Sequence, residues 1–280
     1  MAKVLEATTI YAKLKQELKK QIKALPQLTL ASLSVGQSYS RDVYLWAQKK
    51  LAQELGVNYV TLALSAGISL KDTLNKLSEL NKDNKITGII ANKPFPKGFN
   101  EETIFCAIDF KKDIEGMHPY NLGYLFIGEP KLVSPTVLSI LEFLEMAKIK
   151  FYGKDVTIIG FSTLIGKPLA LLLGRKFATV NITHIATYER KRLRFYVRNA
   201  DILISAVGKP NFIKGNWIKN KATVIDVGIG ERNGKIIGDI DFESVKSKAA
   251  FITPVLGGVG KLTSLFLFQN LVKAHKMYHG

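Results

Sequence analysis

The stretch from Gly153 to Gly174 constrains this chain more than any other, because a β-branched run there meets a glycine turn and a strong helix former. Val156, Thr157, Ile158 and Ile159 favour a buried extended strand, and Leu169, Ala170, Leu171, Leu172 and Leu173 favour a helix. Gly160 and Gly166 between them predict a tight strand-to-helix turn. A helix start leaves its first N–H groups unpaired and carries the positive end of the peptide dipoles, so such a turn is a place for a phosphate. Ser162 or Thr163 can cap this helix, and Pro168 is tolerated only within its first turn.

Two phosphate chemistries compete for the turn. A nucleoside-triphosphate loop needs four residues between its glycines, then a lysine and a hydroxyl residue for magnesium. Here five residues separate Gly160 from Gly166, and Lys167 is followed by Pro168, which has no hydroxyl. A dinucleotide turn fits imperfectly, since Ser162 takes the second glycine position and Gly166 falls one residue late. The ribose-binding carboxylate expected about 20 residues after the first glycine is missing from 181–187. Gly208, Gly228, Gly257 and Gly258 each follow a strand or loop of the same region.

With 280 residues and 47% hydrophobic content the chain can bury substantial cores, and its length suits two domains as readily as one. No apolar run approaches the roughly 18 residues of a membrane span, and Met1-Ala2-Lys3-Val4-Leu5-Glu6 lacks the pattern of a secretory signal, so a cytoplasmic location is expected. Cys106 is the sole cysteine, which excludes an internal disulfide and a thiolate zinc site; it is expected in the core. The four histidines show no ligand spacing. A charge of +17, from 40 basic and 23 acidic residues, suits an anionic ligand. The lysines are dispersed and no nucleic-acid motif joins them, so nucleic acid is not the expected partner.

Periodicity predicts helices over 10–25, 40–55, 69–80, 101–108, 137–147 and 262–277, and strands over 28–35, 58–64, 86–91, 156–159, 180–184, 201–207, 223–227 and 251–252. Tyr44 and Gln48, four residues apart, share one helix face. Pro94 and Pro96 must leave the sheet. The polar loop 112–121 is either functional or an Asx-type turn bonding its own backbone. Two βα regions imply two parallel sheets covered by helices.

Five motifs carry a family resemblance along nearly the whole chain. They are Lys112-Asp113-Ile114-Glu115-Gly116-Met117-His118-Pro119-Tyr120-Asn121-Leu122-Gly123, the turn from Gly160 to Pro168, Gly215-Asn216-Trp217-Ile218-Lys219, Val224-Ile225-Asp226-Val227-Gly228-Ile229, and Ile252-Thr253-Pro254-Val255-Leu256-Gly257-Gly258-Val259-Gly260. In these the chain resembles the bifunctional methylenetetrahydrofolate dehydrogenase and methenyltetrahydrofolate cyclohydrolase family. The resemblance implies an α/β protein of two domains, with folate in the cleft between them. It makes residues 1–133 the folate and catalytic domain, with a C-terminal helix 265–280 returning to it. Residues 134–264 become a Rossmann-like doubly wound domain for NADP or NAD. It further implies tetrahydrofolate derivatives as substrates and a homodimer.

The resemblance places catalysis at Tyr44, Gln48, Asn92 and Glu115, and cofactor binding at Gly160, Phe161, Ser162, Gly166, Lys167, Pro168, Ile185, Gly208, Ile229, Gly257 and Gly258. Several of these depart from the family pattern. A catalytic lysine is replaced by Gln48, a glutamine by Asn92 and an aspartate by Glu115; the 2′-phosphate-holding arginine and serine of many members are replaced by Phe161 and Ile185. The Pro-Cys-Thr-Pro turn reads Ser134-Pro135-Thr136-Val137, and Lys261 stands where a proline closes the last motif. Gln48 positions by hydrogen bonds but cannot act as acid or base, so hydride transfer is less threatened than hydrolysis. A folate- or nucleotide-binding pseudoenzyme, or a monofunctional dehydrogenase, is the alternative. Lys93, beside Asn92, is the candidate substitute for the missing cation if the proline turn redirects it.

Overall fold

The structure is a computed structural model describing residues 1–232 and 235–279, the side chains of Tyr39, Ser40 and Lys235 apart. In chain order, β1 (Lys3–Val4) and α1 (Thr8–Lys23) lead to β2 (Thr29–Val35), α2 (Tyr39–Leu55), β3 (Asn58–Leu64), α3 (Leu70–Lys82) and β4 (Gly88–Asn92). Helices α4 (Glu101–Ala107), α5 (Pro119–Ile127) and α6 (Pro135–Met146) follow. Then come β5 (Asp155–Ile159), α7 (Gly166–Gly174), β6 (Thr179–Thr183), α8 (Ile185–Glu189), α9 (Leu193–Asn199) and β7 (Ile202–Ser205). A 3-10 turn (Gly215–Trp217) precedes β8 (Thr223–Asp226), the hairpin β9 (Gly230–Arg232) and β10 (Lys235–Ile237), α10 (Phe242–Lys246), β11 (Phe251–Ile252) and α11 (Val259–Tyr278).

The chain divides into two compact units, one of Met1–Tyr11 with Thr136–Thr263 and one of Ala12–Pro135 with Ser264–Gly280. The start of the chain thus lies in a different unit from that expected of residues 1–133. The cause is β1, whose Lys3 and Val4 pair in parallel with Phe251 and Ile252 of β11. Within the first of these units the sheet order is β1-β11-β8-β7-β5-β6, all parallel. Its strands β7 and β8 are buried at every position, as expected of a parallel sheet covered on both faces. Leu193 and Val197 from α9 and Val245 from α10 join Leu203, Val224 and Ile252 in one apolar cluster.

In the other unit the parallel sheet runs β3-β2-β4. The central strand β2 is buried throughout, whereas β3, at the outer edge, carries only exposed and half-buried residues. Ser69 starts α3 by accepting a hydrogen bond from the Asp72 amide at 3.0 Å, a cap worth about 1 kcal/mol. Helix α5 stands where a polar loop is followed by an unassigned stretch in the sequence reading, and His118 caps it by accepting from the Tyr120 amide at 3.0 Å. Cys106, expected in the core, is exposed. Ile104 and Phe105 of α4 point inward, and the next step of about 100° carries Cys106 out to solvent.

Candidate functional site

In the six-stranded sheet β5 lies between β6 and β7. The chain leaves β5 toward one side to make β6, then crosses to the other side to make β7. That reversal leaves a crevice beyond the carboxyl ends of β5 and β7, where ligands bind in open α/β sheets. Gly160 and Gly208 stand at those two ends. Gly160 has φ 121°, and a Cβ on it would lie 2.8 Å from the Ala206 carbonyl oxygen. A Cβ on Gly166 would fall well inside van der Waals contact distance of the Gly160 carbonyl oxygen. Only glycine at both positions lets α7 start this close to β5.

Ser162 closes the turn by accepting from the Ile165 amide at 3.1 Å, although the residue at the helix boundary is Ile165. The Lys167 amide is spent on the Ser162 carbonyl at 3.0 Å, and Pro168 has no N–H. Two first-turn positions therefore offer no backbone donor to a phosphate, which shifts the burden to side chains. The Lys167 ammonium lies 5.0 Å above the Phe161 ring and 3.5 Å from the Thr163 hydroxyl.

Apolar side chains crowd this edge of the sheet. Phe161 after β5, Ile185 after β6, Ile229 after β8 and Leu256 after β11 are 53%, 57%, 58% and 74% exposed. Gly257 and Gly258 immediately precede α11, with the Gly257 carbonyl accepting from the Ala7 amide at 2.9 Å. Beneath the edge, buried Asp239 fixes the segment leading to Gly208: it accepts from the Ser205 hydroxyl at 2.7 Å and from the Val207 and Lys209 amides at 2.8 Å each. Asp226 at the end of β8 accepts from the Asp239 and Ile240 amides at 3.1 Å each. Burial, with Asp239 nearby, pushes the Asp226 carboxyl up to about 7.

The three-stranded unit holds the second cluster. Tyr44 and Gln48 lie one turn apart on α2, and Gln48 is fully buried. Burial, then the nearby Glu115 carboxyl, push the Tyr44 hydroxyl up to about 12, while Gln48 and Ser264 pull it part of the way back. Gln48 accepts from the Tyr59 hydroxyl at 2.9 Å. Its Nε2 has no hydrogen-bond partner, so the amide lies near the Tyr44 hydroxyl without a well-formed bond to it. Burial, then the neighbouring Asp113, raise the Glu115 carboxyl to about 8, against the weaker pull of Lys93.

Asn92 is tied into the sheet, donating from Nδ2 to the Ser32 hydroxyl at 2.9 Å and the Leu33 carbonyl at 3.0 Å. Lys93 does not substitute for the missing cation: its ammonium pairs with Glu101 at 2.8 Å, and both side chains are largely exposed. In the polar loop, Asp113 forms the Asx-type arrangement, accepting from the His118 amide at 2.7 Å and from Asn121 Nδ2 at 2.8 Å. Buried Asp113 thus serves the backbone while Glu115, two residues on, faces the cluster. Tyr59, Ser32 and Ser264 escaped the sequence reading. The polar Ser32 within an apolar strand was the available signal for one of them.

Two parallel sheets in separate units, one with a glycine turn at its switch point and the other with a tyrosine–amide–carboxyl cluster, define a two-domain α/β protein of the doubly wound class. Residues 5–115 match the catalytic-domain model of tetrahydrofolate dehydrogenase/cyclohydrolase, and residues 134–279 match its NAD(P)-binding-domain model. The chain belongs to the tetrahydrofolate dehydrogenase/cyclohydrolase family. It is 40% identical over 284 residues to the bifunctional protein FolD of Lactobacillus gasseri, covering 100% of both chains. The crystal structure of the bifunctional FolD dehydrogenase/cyclohydrolase of Campylobacter jejuni superposes with a TM-score of 0.93 at 35% identity, covering 99% of each chain. The Trypanosoma brucei methylenetetrahydrofolate dehydrogenase-cyclohydrolase, complexed with NADP and an inhibitor, gives a TM-score of 0.93 at 28% identity, covering 99% of this chain and 98% of its own.

Proposed function

We propose that this chain oxidises 5,10-methylenetetrahydrofolate to 5,10-methenyltetrahydrofolate with NADP or NAD, and hydrolyses that product to 10-formyltetrahydrofolate more slowly than it forms it. The observation carrying this reading is the Tyr44–Gln48–Glu115 cluster in the unit whose first part matches the family's catalytic domain. At neutral pH the Tyr44 hydroxyl and the Glu115 carboxyl are both protonated, and Gln48 never ionises. With Glu115 assigned to the substrate's pterin edge, no ionisable group stands at the Gln48 position to move protons. Hydride transfer needs alignment of two carbons, whereas hydrolysis needs an acid or base. Turnover of methylenetetrahydrofolate with each cofactor tests the reading.

Glu115 is assigned to the pterin N–H edge, Tyr44 and Gln48 to orienting the folate, and Asn92 to holding the pocket wall. The dinucleotide is assigned to the other unit's turn, where glycine at Gly160 and Gly166 lets the start of α7 lie close against the end of β5. Gly208, Gly257 and Gly258 are assigned to the same edge, with Ser162, Lys167 and Pro168 shaping the turn. Phe161, Ile185 and Ile229 offer exposed apolar surface for its rings. When bound, the nicotinamide supplies the hydride acceptor.

The exposed Arg190, Lys191 and Arg192 lie just after α8, and the Arg192 guanidinium is 5.8 Å above the Phe195 ring. With Phe161 and Ile185 unable to pair with a 2′-phosphate, affinities for NADP and NAD are expected to agree within about tenfold unless one of these three cations reaches it. Titration of both cofactors checks this. A large NADP preference that survives neutralisation of all three overturns it.

A homodimer in the cytoplasm is part of the same reading. The outer edge of β3 and the exposed Val43, Trp46 and Val60 support pairing through the α2–β3 face. Sedimentation is expected to give a dimer for the unaltered chain and a monomer for Trp46→Glu with Val60→Lys; a monomer in the unaltered chain contradicts it. Among the described residues no helix is long and apolar enough to cross a membrane.

A further inference from the structure

We propose that Asp239, held in place by Asp226, is a positioning residue that sets the loop after β7 for dinucleotide binding. This rests on the placement of the dinucleotide at the carboxyl edge of the six-stranded sheet. The loop Val207-Gly208-Lys209 follows β7 at the switch point, and its Gly208 and Lys209 are exposed. Surface loops ordinarily sample several backbone conformations. Here the Val207 and Lys209 amides both turn inward, each donating to a different oxygen of Asp239 at 2.8 Å, and the Ser205 hydroxyl donates to the same carboxyl at 2.7 Å. Two amides two residues apart, held on one side chain, fix the peptide planes on either side of Gly208, whose φ of 70° suits glycine. In a trans peptide the carbonyl points opposite to the N–H, so the Ala206 and Gly208 carbonyls face away from Asp239. A Cβ on Gly160, at the other side of the crevice, would meet the Ala206 oxygen at 2.8 Å.

Asp239 is itself fully buried. Its own amide donates to one oxygen of Asp226 and the Ile240 amide to the other, at 3.1 Å each. Asp226 is anchored in turn at the end of β8, its amide donating to the Thr253 hydroxyl at 2.8 Å. Two glycines make room for the pair. A Cβ on Gly228 would collide with the Asp239 carboxyl, and one on Gly238 with that of Asp226. Burying a carboxyl is costly unless its oxygens are bonded, whereas a turn that serves structure alone can close through backbone carbonyls. Two buried carboxyls in series beneath one exposed loop, at the edge where the dinucleotide lies, preset that loop before its ligand arrives, which lowers the ordering cost of binding.

Amide hydrogen exchange on the unaltered protein tests the preset loop. Val207 and Lys209 are expected to exchange slowly without dinucleotide and to change little when NADP is added. Free exchange that slows only with NADP would show that the ligand sets the loop, and overturns the proposal. A variant series then measures the NADP dissociation constant by titration calorimetry, KM for NADP and for methylenetetrahydrofolate, and the melting temperature. The variants are Asp239→Asn, Asp226→Asn, the two together, and Ser205→Ala. Asparagine at 239 sets an amide nitrogen against one of the two loop N–H groups, so Asp239→Asn is expected to raise the dissociation constant and KM for NADP about tenfold, with less than about a twofold change in KM for methylenetetrahydrofolate. Asp226→Asn is expected to move the same quantities in the same direction, and to add less than about twofold in the Asp239→Asn background because it acts through Asp239. Ser205→Ala leaves both loop amides bound, so it is expected to lower the melting temperature while keeping NADP affinity within about twofold. NADP affinity that falls in step with melting temperature across all four variants, or a KM for methylenetetrahydrofolate that rises as much as that for NADP, overturns the proposal. If the unaltered protein binds NADP without turnover, the enzymatic reading fails while exchange and calorimetry still decide the role of Asp239. If it binds neither NADP nor NAD, both fall.

Discussion

Gln48→Lys is expected to raise methenyltetrahydrofolate hydrolysis, by as much as the roughly 10²- to 10⁴-fold that a positioned acid or base contributes. The replacement puts an ionisable group where Gln48 is fully buried, between the Tyr59 hydroxyl and the Tyr44–Glu115 pair. Burial lowers a lysine's pKa toward neutrality, and a carboxyl neighbour restrains that fall. The same ammonium would draw Glu115 down from about 8, giving two groups that exchange protons near working pH. Hydride transfer is expected to change by a smaller factor, because it needs no proton from this position. A triple variant with Asn92→Gln and Glu115→Asp should exceed the single one, since residues that act as a unit are not additive. The assay is loss of methenyltetrahydrofolate above its spontaneous hydrolysis. Vigorous hydrolysis by the unaltered protein, unaffected by Gln48→Ala, would show that protons move through another group.

A comparably large effect is expected at Glu115. Its carboxyl lies at about 8, well above the ordinary 4.5, because it is buried beside Asp113. The pterin edge presents N–H donors, which an ionised carboxylate accepts best. Below pH 8 the folate must therefore displace a proton to bind. The ionised fraction grows about tenfold per pH unit, so KM should fall by about that factor per unit from pH 6.5 toward 8 and then level off. Glu115→Gln should abolish the slope and raise KM about 10- to 100-fold at alkaline pH, the size expected for lost charge-assisted hydrogen bonds. Glu115→Asp should keep a slope. The folded protein holds this proton more tightly than the unfolded chain does. Its contribution to stability is accordingly full below about 4.5 and lost as pH rises through about 8. A flat KM profile in the unaltered protein would remove Glu115 from the pterin edge.

The elements legible in the sequence were those with local signals. Residues 58–64 gave a strand with the observed bounds of β3, and the run ending at Gly160 gave β5 and the turn into α7. Elements that exist only through distant pairing were not legible. The two residues of β1 are a strand because β11 lies alongside them. Helix α5 is short, begins on Pro119 and is rich in apolar residues, with no polar face to reveal its period. At the site, the helical spacing of Tyr44 and Gln48 could be read directly. The link from Gln48 to Tyr59 depends on how α2 packs against the sheet, and that from Asn92 to Ser32 on the pairing of β4 with β2. Likewise the raised Glu115 carboxyl is a product of burial that no motif encodes.

The most direct test is turnover of 5,10-methylenetetrahydrofolate by the purified chain with NADP and with NAD, following reduced nicotinamide and methenyltetrahydrofolate together. The expected result is cofactor reduction with transient accumulation of methenyltetrahydrofolate, because a site with Gln48 passes hydride faster than it hydrolyses the product. Binding of folate and dinucleotide with no reduction of either cofactor would contradict it.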